Sequence, residues 1–150
     1  MNFFEQIFSN RIFWNCVLCW AAAQLFKFLI DGLLNHRLDW RRFFGMGGMP
    51  SSHSALVTGL MLMCGIRMGF DSAAFAISAT LAMIVIYDAL GVRRETGKQG
   101  QAINLILREL IVDGKALTDE KLKELVGHTP VEVIGGVITG MLITGIMVLV

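Results

Sequence analysis

The chain is short of charge. Only 17% of its 150 residues are Asp, Glu, Lys or Arg, against roughly 25% in an ordinary soluble domain, and these sit in a few blocks between long apolar runs. It has no basic arm and no basic patch interleaved with aromatics, so the net charge of +1 gives no sign of a nucleic-acid partner. The three cysteines, Cys16, Cys19 and Cys64, lie inside apolar stretches without the spacing of a disulfide framework or a metal site. They read as small, polarizable packing material. The amino terminus lacks a basic n-region and a small-residue cleavage site, so the first apolar run is expected to be a retained span.

What the chain has is apolar length. The hydrophobic share is 55% and the mean hydropathy +0.62. Four runs, at about 12–34, 54–70, 72–90 and 131–150, approach the roughly 20 residues a helix needs to cross the hydrocarbon core. The expected fold is an all-α polytopic membrane helix bundle of about four transmembrane helices, one integral domain over residues 1–150, with short amphipathic helices at the surface. Residues 1–10, rich in phenylalanine, suit an interfacial turn. The polar stretch 91–127 has helical character, with Ile103, Leu107 and Leu110 on one face and Thr118 able to cap a second short helix through Leu125.

Four spans place the loops 35–52 and 91–129 on one side of the membrane, and both termini with the Arg67–Asp71 turn on the other. The loop side holds Arg37, Arg41, Arg42, Arg93, Arg94, Lys98, Arg108, Lys115, Lys121 and Lys123, whereas Arg11 and Arg67 fall opposite. By the positive-inside rule the two long loops are expected to be cytoplasmic and both termini outside. Gly136 and Gly140 form a small-xxx-small pair on the fourth run, and Ser72, Ala76 and Ala79 or Thr80 offer the same on the third. Such pairs serve tight packing within one bundle or a homodimer interface.

The same topology gathers the unusual polar groups at the loop face. Gln24, Lys27 and Asp31 share one face of the first helix. Ionisable groups at membrane depth are costly and tend to line a polar cavity or substrate path. Lys27 is a candidate for binding phosphate, or for pairing with Asp31 and snorkelling. In GGMPSSHSA, 47–55, glycines, Pro50, Ser51 and Ser52 turn into a helix start, a natural anion site; His53 there is placed to donate a proton. The plainer reading is a serine-capped helix with an interfacial histidine. In GHTPVEV, 127–133, His128 and Glu132 stand four apart, so a carboxylate can orient an imidazole nucleophile. Thr129, Pro130 and Glu132 also fit N-cap, N1 and N3 of a capping box. In YDALGVRRETGKQ, 87–99, Arg93, Arg94 and Lys98 supply phosphate-binding cations or a positive anchor. Asp88, near the end of an apolar helix, needs a partner.

PSSHSA, YDALGVRRETGKQ and GHTPVEV, in this order, resemble the divergent branch of the type 2 phosphatidic acid phosphatase and vanadium haloperoxidase superfamily, over roughly residues 24–140. Carried over, the superfamily's PSGH motif becomes Ser51, Ser52 and the general acid His53, and its H-x3-D becomes the nucleophile His128 with Glu132. Ser52 replaces a glycine, Leu122 stands where an arginine is usual, and no K-x6-R-P motif is present. The usual fold has six membrane helices, so four spans imply a shortened bundle or completion by a second subunit. The resemblance implies hydrolysis of a lipid phosphate, such as phosphatidylglycerophosphate, phosphatidic acid or an isoprenoid phosphate or pyrophosphate, through a phosphohistidine. Arg93, Arg94, Lys98, Lys27, Ser51 and Ser52 would hold the phosphate. No cofactor is required on this scheme, with Asp31 and Asp88 as support or as Mg²⁺ ligands if they converge. The expected partners are the lipid substrate and membrane lipids. A non-catalytic lipid-phosphate-binding protein or scaffold is the alternative. A transporter would call for paired repeats and broken helices, which the sequence does not show.

Overall fold

The computed structural model describes residues 2–35, 48–91, 99–104 and 129–150. Every element among them is a helix: α1 (Phe3–Ser9), α2 (Arg11–Asn35), α3 (Ser52–Met68), α4 (Ala73–Leu90) and α5 (Pro130–Leu149), with residues 99–104 also helical. The four longer helices coincide, to within a turn, with the four apolar runs of the sequence. Three of them, α2, α4 and α5, are long and apolar enough to cross a membrane. With 17 residues, α3 extends about 26 Å, a little less than the roughly 30 Å hydrocarbon core.

Local chemistry sets the helix ends. Asn2 and Glu5 form a reciprocal capping box that starts α1, a surface helix whose Phe3, Phe4 and Phe8 are exposed; Phe8 stacks on Trp14 of α2. The Asn10 side chain accepts the Phe13 N–H at 3.0 Å and begins α2. Gly69, at φ +96°, ends α3 in a conformation that favours glycine. Ser72 then accepts the Phe75 N–H and starts α4.

The central helix is α3, which packs against α2, α4 and α5. Helices α2 and α5 also pack together, whereas α4 and α5 touch sparsely. In hydrocarbon, water does not drive apolar helices together, so close backbone approach and interhelical hydrogen bonds must do so. Small residues allow both. A Cβ on Gly59 would lie 2.5 Å from Cys19 Sγ, and one on Gly140 would lie 2.6 Å from the Ala55 carbonyl oxygen. Gly136 and Gly140 thus serve α3–α5 packing within the bundle. On α4 the buried small residues are Ser78, Ala82 and Ala89, while Ala76 and Thr80 are exposed and Ser72 is spent as the cap. One buried polar bridge ties three helices: Asn15 Nδ2 donates to the Gly59 carbonyl oxygen at 2.9 Å and to Thr144 Oγ1 at 3.0 Å. Outward, α4 and α5 present Ile77, Met83, Ile84, Leu142 and Ile146, a surface suited to lipid.

Candidate functional site

The antiparallel order of α2 to α5 brings the end of α2, the start of α3, the end of α4 and the start of α5 to one face of the bundle. Lys27, on the last third of α2, is only 5% exposed. Its aliphatic stem runs beside Gly48, where a Cβ would sit 3.5 Å from Lys27 Cγ, and Gly48 has φ +90°. A positive φ against the lysine stem makes glycine the fitting residue there. The Glu132 carboxylate is close enough to act on the charge of Lys27.

Two helix starts are joined at this point. The Ser51 N–H donates to the Glu132 carbonyl oxygen at 2.9 Å, and Gly136 lies directly on the Ser51 carbonyl oxygen. Met49 and Pro50 pack over Gly135. The first turns of α3 and α5 are therefore held together, on the side of the bundle where Gly48 seats the Lys27 stem. Each helix start carries about half a positive charge even where side chains cap part of its N–H groups, so the arrangement favours an oxyanion.

The capping residues are identifiable. Ser51 is fully buried, and its Oγ accepts the Ser54 N–H at 3.3 Å and the Ser54 hydroxyl at 3.0 Å. Ser52 is 6% exposed. At α5, Thr129 Oγ1 accepts the Glu132 N–H at 3.3 Å while Glu132 Oε2 accepts the Thr129 N–H at 3.2 Å, with Pro130 in the first turn. Both cap readings of the sequence are thus present in the structure, and they occupy side chains that the superfamily resemblance assigns to phosphate binding and to orienting His128.

The described contacts bring Lys27, Ser51 and Glu132 together. His53 lies in the same first turn of α3 but is exposed. It is about 160° around the helix from Ala55, which faces α5 through Gly140. Asp31, one turn beyond Lys27, and Asp88, in the last turn of α4, are half-buried at the same face. Among the described residues no group of three His, Cys, Asp or Glu is placed to hold a metal ion. His128, Arg93, Arg94 and Lys98 lie outside the described residues, as do Leu107, Leu110 and the helix expected from Thr118 to Leu125. Sequence reasoning missed the Gly48 seat for Lys27 and the Ser51–Glu132 link; its signal for the link was the Gly136–Gly140 pair.

No solved structure matches the chain. The uncharacterized membrane protein YuiD of Bacillus subtilis is 41% identical over 81% of this chain and 84% of its own length. The pattern described as the divergent PAP2 family matches residues 8–143, a stretch that contains the Lys27 seat, both joined helix starts and every candidate site residue named above. On these grounds the chain is an integral membrane protein that belongs to the divergent PAP2 family.

Proposed function

We propose that this protein is a membrane phosphatase that hydrolyses a lipid phosphate at the face where α3 and α5 begin. The observation that carries the reading is the Ser51–Glu132 hydrogen bond beside the buried Lys27, because it joins two helix starts next to a cation. Oxyanions are stabilised by such preorganised positive charge. Arg93, Arg94 and Lys98, which follow α4 in sequence, would complete the phosphate-binding set.

In the proposed reaction, a nitrogen of His128 attacks phosphorus and the bond from phosphorus to the lipid oxygen breaks. His53 gives its proton to that oxygen from the exposed side of the first turn. Water then cleaves the phosphohistidine, releasing inorganic phosphate and returning His128 to neutral imidazole. Glu132, next to the nucleophile's helix start, orients and charge-stabilises His128. Asp31 and Asp88 would support the cations, or would hold Mg²⁺ if they converge. The charge bias of the loops favours a cytoplasmic site and substrates made there, such as phosphatidylglycerophosphate or phosphatidic acid.

A second reading is lipid-phosphate binding without turnover. It is favoured by the capping bonds already made by Ser51 and Glu132. The two readings separate on phosphate release by the purified protein in micelles, across a panel of lipid phosphates with and without EDTA, comparing wild type with His128→Ala and His53→Ala. Turnover in the wild type that disappears in both folded variants supports the phosphatase. Binding of the same lipids with no release in the wild type leaves the binding protein.

A further inference from the structure

Where α4 and α5 part company, they leave a groove of about 920 Å³ over α3. Its floor is Thr58 and Met61, and its walls are Ala79 and Met83 on one side and Val137 and Met141 on the other. Met83 and Met141 line it while remaining 69% and 51% exposed, so the groove opens sideways onto the surface that faces lipid. Apart from Thr58 and the Tyr87 and Asp88 end, the lining is apolar.

The depth of the groove decides what fits it. At 1.5 Å per residue, Ala79 lies about 16.5 Å along α4 from Leu90, Met61 about 13.5 Å along α3 from Ser52, and Met141 about 16.5 Å along α5 from Pro130. Three helices give the same answer. Along α4 the groove starts at the face that carries the Lys27 seat, along α3 and α5 it begins at Thr58 and Val137, about 9–10 Å in, and it stops near the middle of a hydrocarbon core roughly 30 Å thick. A transmembrane helix of a second copy would need a channel through the whole thickness. One leaflet's depth is the length of a lipid chain. Methionine, flexible and polarizable, is suited to an apolar guest without a fixed shape.

The groove also borders the α3–α5 crossing that carries the candidate site at its start. Val137 in its wall follows Gly136, which lies on the Ser51 carbonyl oxygen, and Thr58 in its floor touches the Gly140 position. We infer that the groove between α3, α4 and α5 holds a hydrocarbon chain of a lipid from the leaflet on the Lys27 side, with the phosphate-bearing end of the same molecule at the joined starts of α3 and α5. This assignment of the substrate class rests on reading that seat as a lipid-phosphate site.

The test is photolabelling in vesicles containing phosphatidic acid with a diazirine midway along one acyl chain, followed by peptide mapping. Adducts are expected on Met61, Met83 and Met141 at several times the level on Ile77 and Ile146, which are exposed but outside the groove. Ala79→Phe should lower the groove adducts several-fold with helical content unchanged, and Ile77→Phe should leave them as they are. Even labelling of the whole apolar belt overturns the inference. So does exclusion of the probe from the groove, as a second copy seated there would produce. Moving the diazirine from the glycerol end to the chain end supplies a measure independent of folding variants: adducts should shift from the Leu90 end towards Met61 and Ala79, and a pattern without that gradient also overturns it. Phosphate release is followed in the same vesicles. Its absence with groove labelling intact counts against the phosphatase reading alone and leaves the groove assignment supported.

Discussion

Gly136 of α5 lies so close to the Ser51 carbonyl oxygen of α3 that a Cβ added to the glycine would overlap that oxygen, and Ser54 Cβ would be 2.8 Å away. The neighbours are backbone and a short side chain in the first turn of a helix, so they have little freedom to give way. The same crossing carries the Ser51–Glu132 hydrogen bond. Packing of two helices and assembly of the site are therefore one geometric requirement.

Gly136→Ala should accordingly destabilise the bundle by about 1–3 kcal/mol, the usual range for overpacking, and weaken lipid-phosphate binding. Gly145→Ala is the matched control, since nothing lies within 4 Å of a Cβ there; it should be neutral or slightly stabilising. Denaturation in micelles, with lipid-phosphate binding measured on the same samples, compares the two. Equal behaviour of the two variants would contradict the crossing.

Lys27→Met keeps the length and apolar stem of the side chain and removes its charge. The stem can still run beside Gly48, so folding should be retained. A charge-assisted hydrogen bond contributes about 1.5–3 kcal/mol, so affinity for a lipid phosphate should fall about 10- to 100-fold, and titration calorimetry with phosphatidic acid in micelles reads it. An unchanged affinity would mean that Lys27 serves only to offset Glu132.

The four long helices were legible in the sequence because each is apolar nearly all round, and length alone then marks it. The same uniformity hid which face of each helix packs. On α4 small residues occur on more than one side, so the spacing of Ser72, Ala76 and Ala79 or Thr80 stood out, whereas the structure buries Ser78, Ala82 and Ala89. The Gln24–Lys27 face was legible from its spacing, and both residues are buried. Partners distant in sequence were not legible. Asn15 finds its acceptors 44 and 129 residues away, and Gly48 meets Lys27 through a turn whose shape depends on a positive φ.

The Asn15 bridge sets a further expectation. Interhelical hydrogen bonds in membranes average about 0.6 kcal/mol in double-mutant cycles, up to about 1.7. Asn15 also donates to Gly59 and is fully buried, so Asn15→Ala should cost more than Thr144→Val. The cycle between the two variants should show coupling of about 0.5–1.5 kcal/mol, because Nδ2 and Oγ1 are bonded directly at 3.0 Å. Coupling near zero would show that the bond contributes nothing beyond packing.

Glu132 has two jobs on the proposed scheme, and two substitutions separate them. Its carboxylate accepts the Thr129 N–H in the capping box at the start of α5, a role that an amide oxygen can fill as well. Its charge, by contrast, is what would stabilise a cationic His128 and what acts on Lys27. Glu132→Gln should therefore leave the denaturation midpoint nearly unchanged, whereas Glu132→Ala should lower stability by about 0.5–2 kcal/mol, the usual loss on removing a cap. If Glu132 orients the nucleophile, turnover should drop at least tenfold in both variants, including the stable one. If Glu132 is only a cap, activity will follow stability, with Glu132→Gln active and Glu132→Ala impaired. Measuring phosphate release and the denaturation midpoint on the same two preparations therefore decides whether this carboxylate belongs to the chemistry or to the helix alone.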